Sequence, residues 1–236
     1  MHRLCPLCGA DNHAGAVAHR LEGKEIKRCG CGMVYLENPE PAAESSQYEG
    51  RSGDVSERMH NLIRRHFRPG NVLDVGCGAG DFLQDLDPAY TPFGIEMSRV
   101  LSPIADSIAR GRGGWVVHAG EASEGFPMFS EEHFSGVVMD AFLERESRPV
   151  ELLRQCARHL ERDGRVIIRV PNYDCLGRRL NGDSWNGFRD PEAVNYFRPK
   201  TLLRMCREAG LVIRRFRWRD HQPFADDMWL VAGRRS

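Results

Sequence analysis

The chain has 236 residues, of which 41% are hydrophobic and 28% are charged, an ordinary composition for a globular protein. The chain has 33 lysines and arginines and 33 aspartates and glutamates. This balance gives no broad positive electrostatic field that would attract nucleic acid or an anionic membrane, and only a local charged patch could do so. The sequence has no apolar run of about 18 residues and no signal-peptide core at its N-terminus. We therefore expect a cytoplasmic protein without a membrane partner, built as one α/β domain plus a small appendage.

Two cysteine pairs lie near the N-terminus, Cys5 with Cys8 and Cys29 with Cys31, and a glycine follows each pair. Paired thiols in a chain without a secretory signal favour a metal site over a disulfide framework. The segment resembles a zinc ribbon, in which four thiolates surround one tetrahedral zinc ion. We predict a zinc-ribbon-like module at residues 1–42 that needs this structural zinc, because about 40 residues cannot bury a stable core alone.

The second cysteine pair departs from the ribbon pattern, since it is Cys-x-Cys and not Cys-x2-Cys. His13 or His19 could therefore replace one cysteine as a ligand, and four free buried cysteines are the alternative. Prolines at positions 39 and 41 then mark a linker, and residues 54–57 predict a capping box that opens a helix. A second domain is expected at residues 46–236.

The stretch at residues 71–82 predicts a buried strand followed by a tight turn into a helix. Asp74 lies near the end of the strand, and the turn carries Gly76, Gly78 and Gly80 at alternate positions. Glycines here remove Cβ atoms, so a ligand can lie against the backbone at the N-terminal end of the helix. A nicotinamide or flavin site would need a glycine at position 81, which is an aspartate, and a purely structural turn is the remaining alternative.

This Asp-x-Gly-x-Gly-x-Gly pattern resembles motif I of the class I S-adenosylmethionine (SAM) dependent methyltransferases. The resemblance implies that the glycine loop lies against the methionine half of SAM and that Asp74 binds its ammonium group, directly or through water. It extends over residues 46–236 and implies an α/β fold: a Rossmann-like, doubly wound, mostly parallel sheet whose last two strands are antiparallel. Tyr48 is a possible further cofactor contact on the same analogy.

Acidic residues follow the next strands in turn. Glu96 ends the second strand about 20 residues after the first loop glycine, where a carboxylate can accept hydrogen bonds from both hydroxyls of a ribose. Met97 would then lie against the adenine ring. In the resembling family, an acid after the third strand accepts from the adenine amine and the next backbone amide donates to the ring, at positions that match Glu121 and Ala122. Asp140, at the end of the fourth strand, faces the cofactor by the same analogy.

The region after the fifth strand, which begins near Tyr173, is where the methyl acceptor should bind. Residues 181–195 are polar and rich in glycine and aromatics, which favours a loop or lid over the substrate. Resembling sequences carry histidines at two positions that here hold Arg145 and Ala193, so no histidine base is expected. Tyr173 is a candidate catalytic residue and Glu144 lies in the same region, with a structural or substrate-positioning role as the alternative for each.

The whole chain resembles bacterial small-molecule and sugar methyltransferases with an N-terminal zinc-binding module. We therefore expect methyl transfer from SAM to a small-molecule acceptor. An RNA base methyltransferase with a zinc module is the second hypothesis, although Glu22 and Glu25 dilute the basic residues between positions 20 and 28. A non-catalytic protein that keeps the cofactor fold is the third, and the two missing histidines are its support.

Overall fold

The computed structural model of the chain describes residues 2–39, 53–130 and 133–235. Three short strands come first: β1 (Val17–Leu21), β2 (Lys24–Arg28) and β3 (Val34–Leu36). β1 and β2 form an antiparallel hairpin around Glu22 and Gly23, whose φ angles of 49° and 82° are the left-handed pair that a two-residue turn needs. β3 pairs antiparallel with β2, so these strands form a small meander.

The remaining described residues form alternating helices and strands. The elements are α1 (Gly53–His66), β4 (Gly70–Val75), α2 (Asp81–Asp85), β5 (Tyr90–Glu96), α3 (Ser102–Arg110), β6 (Val116–His118), α4 (Ala122–Gly125), β7 (Phe134–Asp140), α5 (Pro149–His159), β8 (Leu160–Pro171), α6 (Leu176–Asn181), β9 (Asn195–Tyr196), α7 (Pro199–Glu208), β10 (Leu211–Arg215) and β11 (Asp227–Arg234). Buried apolar strands that alternate with amphipathic helices build a parallel sheet covered on both faces. Tyr48 and the predicted boundary between the two domains lie outside the described residues.

The larger sheet has seven strands in the order β10-β11-β8-β7-β4-β5-β6. Parallel pairing joins β4 to β5 and β7, β5 to β6, and β7 to β8, whereas β11 runs antiparallel to β8 and β10. The predicted Rossmann-like sheet with an antiparallel last pair is therefore confirmed. The strand order reverses at β4, so the carboxyl ends of β4, β5 and β7 border the crevice in which sheets of this type bind ligands.

Apolar side chains cover both faces of this sheet. Met59 and Ile63 of α1 pack with Ala105 of α3 on one face, and Leu153 of α5 packs with Leu202 of α7 on the other. Each large side chain buried in this way contributes roughly 1.5–3 kcal/mol to folding. Within the described ranges, the helices lack the combination of length and apolar character that a membrane crossing requires.

The N-terminal strands are continued by a strand from the far end of the chain. β9 pairs antiparallel with β3, with Val34 opposite Tyr196 and Tyr35 opposite Asn195. The small sheet therefore has the order β1-β2-β3-β9. Cys29 and other residues of the N-terminal part also share a continuous apolar core with α7. The N-terminal part is thus joined to the larger domain by both strand pairing and packing.

Arg3 adds a polar connection between the two parts. Its guanidinium donates to the backbone oxygens of Val194, at 3.2 Å, and Ser147, and to Asn195 Oδ1 at 3.1 Å. Burial lowers the pKa of Arg3 to about 10, and the nearby Glu146 opposes that shift. The side chain therefore keeps its charge at neutral pH, and its hydrogen bonds are of the stronger, charge-assisted kind.

Residues 181–195, which were expected to form a polar loop or lid, pack into the protein. Trp185 lies between two short 3-10 turns, Gly182–Ser184 and Asn186–Phe188, and Phe188 ends the second; they are only 1% and 7% exposed. They meet Tyr173 and Tyr196 in one apolar cluster that also contains residues of β2 and β3. Large aromatic side chains carry enough apolar area to bury a segment whose other residues are polar.

Candidate functional site

Glycines in left-handed conformations build the turn between β4 and α2. Gly76, Gly78 and Gly80 have φ angles of 77°, 58° and 93°, which residues with a side chain rarely adopt. At Gly76 a Cβ would lie 2.4 Å from the ring of Phe142, and at Gly80 it would lie 3.0 Å from the backbone of Ala105. These two glycines therefore also allow close packing against the loop, a role that the sequence pattern did not show.

Glu96 fastens the glycine loop to the end of β5. Its Oε2 accepts a hydrogen bond from the Gly78 amide at 2.7 Å, and its Oε1 accepts one from the Ser98 amide at 2.8 Å. The residue is 6% exposed. Each carboxylate oxygen has a second lone pair, so both can still accept from the hydroxyls of a ligand. The residue predicted to bind ribose thus lies against the predicted loop and also holds it in place.

Asp74 and Met97 lie at the ends of the two central strands. Asp74 is buried in β4, opposite Gly94 of β5. Met97 directly follows β5, where it is partly buried against the core, and its carbonyl oxygen lies 3.1 Å from His118 Nε2 at the end of β6. The ends of these strands therefore bring Asp74, Glu96 and Met97 to one crevice together with the glycine loop.

Glu121 forms a salt bridge within the protein. Its Oε2 accepts from Arg148 Nε at 3.0 Å and Nη2 at 2.6 Å, and the Ser147 hydroxyl donates to Oε1 at 3.3 Å. The Glu121 side chain is 40% exposed, so this pair contributes at most about 1 kcal/mol. Ala122 follows at the start of α4 and is buried. A ligand amine at Glu121 would share the carboxylate with Arg148, a partner that the sequence did not reveal.

Asp140, at the end of β7, begins a chain of charges along the carboxyl edge of the sheet. Its carboxylate accepts from Arg169 Nε of β8, and Arg169 Nη1 donates to Asp227 of β11 at 2.7 Å. Burial disfavours the charge on Arg169, but the two aspartates more than offset this and raise its pKa. The sequence contained one signal of this pair, because Arg169 interrupts the apolar run that begins at Val166 in a buried strand.

The residues in the crevice suit the cofactor that the sequence resemblance implies. The buried carboxylates of Asp74 and Glu96 offer acceptors for an ammonium group and for a pair of hydroxyls. The glycine loop exposes backbone at the start of α2, and Met97 offers an apolar surface for a flat ring. The donor and acceptor types of this crevice therefore match both ends of SAM.

Tyr173 follows β8 and belongs to an aromatic cluster, defined here as Tyr173, Trp185, Phe188 and Tyr196. Ring centroids in the cluster lie 5.1 Å to 6.3 Å apart, and the Arg178 guanidinium carbon lies 4.1 Å from the Tyr173 centroid. The Tyr173 hydroxyl is buried and has no hydrogen-bond partner among the described residues. Leaving such an atom without a partner costs about 1–3 kcal/mol, so a bound ligand that supplies one is favoured here.

Glu144 is a further buried polar group in this region. It is 3% exposed, and its Oε2 has no hydrogen-bond partner in the part of the chain that the structure describes. Burial raises the pKa of Glu144 to about 8, although Arg145 and Arg169 oppose the shift, so the carboxyl is protonated at neutral pH. Its backbone oxygen accepts from the amides of Val194 at 2.8 Å and Asn195 at 2.9 Å, which places Glu144 beside β9.

The two positions where resembling sequences carry histidine serve structural contacts here. Arg145 donates to Asp190 at 2.7 Å and to Glu192 at 3.3 Å, and so holds the segment that precedes β9. Ala193 is 4% exposed and packs beside Tyr196. Neither residue can accept a proton from a substrate at neutral pH.

The four N-terminal cysteines converge on one point. Their Sγ atoms all lie within 4.8 Å of one another, with 3.6 Å between Cys5 and Cys31 and also between Cys8 and Cys29. Sulfurs about 2.3 Å from a tetrahedral zinc ion would be separated by about 3.8 Å. The four thiols are therefore spaced as the ligands of one zinc ion would be.

The two histidines considered as replacement ligands have other neighbours. His13 Nδ1 lies 3.0 Å from Glu37 Oε1, and His19 Nε2 lies 2.8 Å from Asp183 Oδ1. Within residues 2–39, the only group of metal-ligand side chains that converges is the set of four cysteines. The geometry therefore favours the cysteines over either histidine.

A family model described as a methyltransferase domain matches residues 48–215 of the chain. The chain is 25% identical over 169 residues to a ubiquinone biosynthesis O-methyltransferase of Leptothrix cholodnii, a match that covers 68% of this chain and 72% of that protein. It is also 25% identical over 148 residues to an uncharacterised protein of Methanocaldococcus jannaschii, with 63% of this chain and 67% of that protein covered.

Solved structures show the same fold. The CcbJ methyltransferase from Streptomyces caelestis superposes with a TM-score of 0.60 at 15% sequence identity, and the match covers 80% of this chain and 100% of that one. At this identity the similarity concerns the fold alone.

Proposed function

The chain belongs to the class I SAM-dependent methyltransferase family and is an enzyme of that class, and on this premise we propose that its methyl acceptor is a small molecule bound near the carboxyl end of β8. One observation carries the proposal. The crevice that joins Asp74, Glu96 and the glycine loop lies on the same edge of the sheet as the carboxyl end of β8, after which the Tyr173 hydroxyl has no partner among the described residues. A cofactor pocket and an acceptor pocket would therefore be neighbours.

Binding and alignment are the tasks of this chain's own residues. SAM supplies a methyl group on a positively charged sulfur, which is already a good leaving group. We assign Asp74 to the ammonium group, Glu96 to the ribose hydroxyls and Met97 to the adenine face. Glu121 and the Ala122 amide are assigned to hydrogen bonds with the edge of the adenine ring. Asp140 and the loop glycines 76, 78 and 80 are assigned to the remaining contacts with the cofactor. Because Asp74 and Glu96 are buried, bound SAM would be shielded from water on that side and held in alignment with the acceptor.

The acceptor side combines an apolar wall with a few polar groups, which is typical of pockets for small molecules. Tyr173 is proposed to position the acceptor with its hydroxyl, which has no protein partner among the described residues. Glu144, protonated at neutral pH, can donate a further hydrogen bond. The Leptothrix relative is named for ubiquinone biosynthesis, and its name supports a small acceptor for this chain.

The cysteine cluster is proposed to hold one structural zinc ion through Cys5, Cys8, Cys29 and Cys31. Four protein ligands leave no open coordination position, which is typical of structural sites and not of catalytic ones. The position of the cluster supports the same role, because Cys5 and Cys29 belong to the core that continues into α7. Zinc would hold the small sheet together and, through β9, support the wall that carries Tyr196.

RNA is less well supported as the acceptor. The predicted zinc module would have to present a basic face, yet Arg20 Nη2 lies 3.0 Å from Glu25 and Lys27 Nζ lies 3.1 Å from the same carboxylate. Lys27 also lies 3.8 Å from Glu37. Cations that are paired in this way contribute little to an attractive field for a polyanion.

Turnover with defined acceptors tests the proposal. The purified chain is incubated with SAM and, in parallel, with hydroxylated metabolites, sugar nucleotides and total RNA, and formation of S-adenosylhomocysteine is measured. We expect product with a small acceptor and none with RNA. Methylation of RNA alone, with activity that falls steeply as salt rises, would overturn the proposal.

A further inference from the structure

A recess of about 340 Å³ lies between α1 and the end of β10. It is lined by Glu57, Arg58, Asn61, Leu62, Arg65 and Arg215. None of these residues has a part in the cofactor crevice, the acceptor region or the cysteine cluster. Three of the six carry a guanidinium group, so the recess is a separate and basic feature of the surface.

Two of these arginines are held in place by a buried aspartate. Arg58 Nη2 and Arg215 Nη2 both lie 2.9 Å from the same oxygen of Asp220, whose side chain is fully buried. The Arg58 guanidinium carbon also lies 4.7 Å from the ring centroid of Trp229. Donors that are fixed before a ligand arrives lose little conformational entropy on binding. The arrangement therefore presents preorganised donors to the recess.

Positive charge exceeds negative charge around the recess. Among the lining residues three arginines outnumber the one carboxylate, Glu57. Asp220 pairs with two of these arginines, and Asp227, which also acts on Arg58, is paired with Arg169. Burial lowers the pKa of Arg58 and the neighbouring Arg215 lowers it further, a shift that Asp220 and Asp227 oppose but do not cancel. The Nε of Arg215 is buried without a hydrogen-bond partner in the described part of the chain. Crowded like charges and an unmet donor both cost free energy that a bound anion would recover.

We propose that this recess binds a phosphate group of a small phosphorylated ligand. Three guanidinium groups in one recess suit a tetrahedral anion with three or more oxygens, whereas one bidentate arginine satisfies a carboxylate. The Asn61 side-chain oxygen accepts from Arg64 at 2.6 Å, which leaves the Asn61 amide nitrogen as a further donor. The volume of about 340 Å³ exceeds the needs of a single phosphate, so a phosphate ester or diphosphate is the favoured ligand class. The proposal stands apart from the methyl acceptor, because no residue is shared.

Calorimetry with pyrophosphate tests this site on the full chain. We expect saturable binding to one site per chain, and a loss of affinity of about fivefold or more in Arg65→Gln, the size of effect that one surface charge contributes. Arg65 is exposed, so its replacement should leave the circular dichroism spectrum unchanged. Arg154→Gln is the matched control, because Arg154 lies on α5, against the other face of the sheet, with a side chain 47% exposed. Ionic strength is held constant with chloride.

The outcomes distinguish this phosphate site from binding at the SAM site and from binding of RNA. Equal pyrophosphate affinity in wild type and Arg65→Gln, or binding that SAM displaces, would overturn the proposal. A nucleoside diphosphate that binds with the same dependence on Arg65 supports it and identifies a small ligand as the phosphate source. A single-stranded RNA oligonucleotide that binds with this dependence, when the nucleoside diphosphate does not, would contradict the small-ligand assignment.

Discussion

Glu144 offers a prediction whose size follows from the structure. Its pKa rises from an ordinary 4.5 to about 8 because the carboxyl is buried, so the folded state holds a proton that the unfolded state releases. The stability that this group contributes is therefore fully present below about pH 4.5 and is lost as pH rises towards 8. At 1.36 kcal/mol per pKa unit, the loss between pH 6 and pH 8 is about 2–3 kcal/mol.

The substitution Glu144→Gln removes the titrating group while keeping the shape of the side chain. The free energy of unfolding is measured by urea denaturation at pH 6 and at pH 8. We expect its decrease between these two pH values to be about 2–3 kcal/mol smaller in the variant than in wild type. Subtracting the two proteins cancels the titration of all other groups. Glu208→Gln is the control, since the Glu208 side chain is 50% exposed on α7. Parallel pH profiles for wild type and Glu144→Gln would refute the buried, protonated state.

Two further predictions concern zinc and the acceptor wall. We expect metal analysis to find about one zinc ion per chain. Replacing both Cys5 and Cys8 by serine should remove the zinc and lower the thermal stability, whereas Cys156→Ser, in the other half of the chain, should keep the metal. A metal-free chain that is folded and reduced would contradict the four-cysteine site. Tyr173→Phe keeps the buried ring, so SAM affinity should stay within about threefold, while turnover falls about 10²-fold because the hydroxyl no longer positions the acceptor. Wild-type turnover in Tyr173→Phe would mean that the Tyr173 hydroxyl has no role in the reaction. Loss of SAM binding in this variant would mean that the segment after β8 folds over the cofactor.

The fold of the larger domain was predictable because its signals are local. Apolar strands, amphipathic helices and glycine turns follow one another in the sequence, and the order of parallel strands then has few solutions. The glycine loop and Glu96 were found in the same way, since strand ends and spacing place them at one edge of the sheet. Their hydrogen bond to each other was not expected, because a motif gives positions and not side-chain orientation.

Contacts between distant segments were not predictable from the same signals. β9 has two residues and no periodicity of its own, yet it completes the N-terminal sheet by pairing with β3. Arg3 depends on acceptors in two segments more than a hundred residues away, at Ser147 and at Val194 with Asn195. The crowding of Arg58, Arg65 and Arg215 is also invisible in a chain whose total charge is balanced. Such features arise from tertiary packing, which single-sequence patterns do not encode.

The most direct test of the central claim is calorimetric titration of SAM into wild type and Glu96→Gln. With the cofactor at the ends of β4 and β5 and its ribose on Glu96, loss of the charge-assisted hydrogen bonds should weaken binding at least tenfold, about 1.5 kcal/mol. Gln keeps one oxygen for the loop, whereas Glu96→Ala would also release the Gly78 amide. Glu208→Gln should bind as wild type does. An unchanged dissociation constant in Glu96→Gln would contradict this placement of the cofactor.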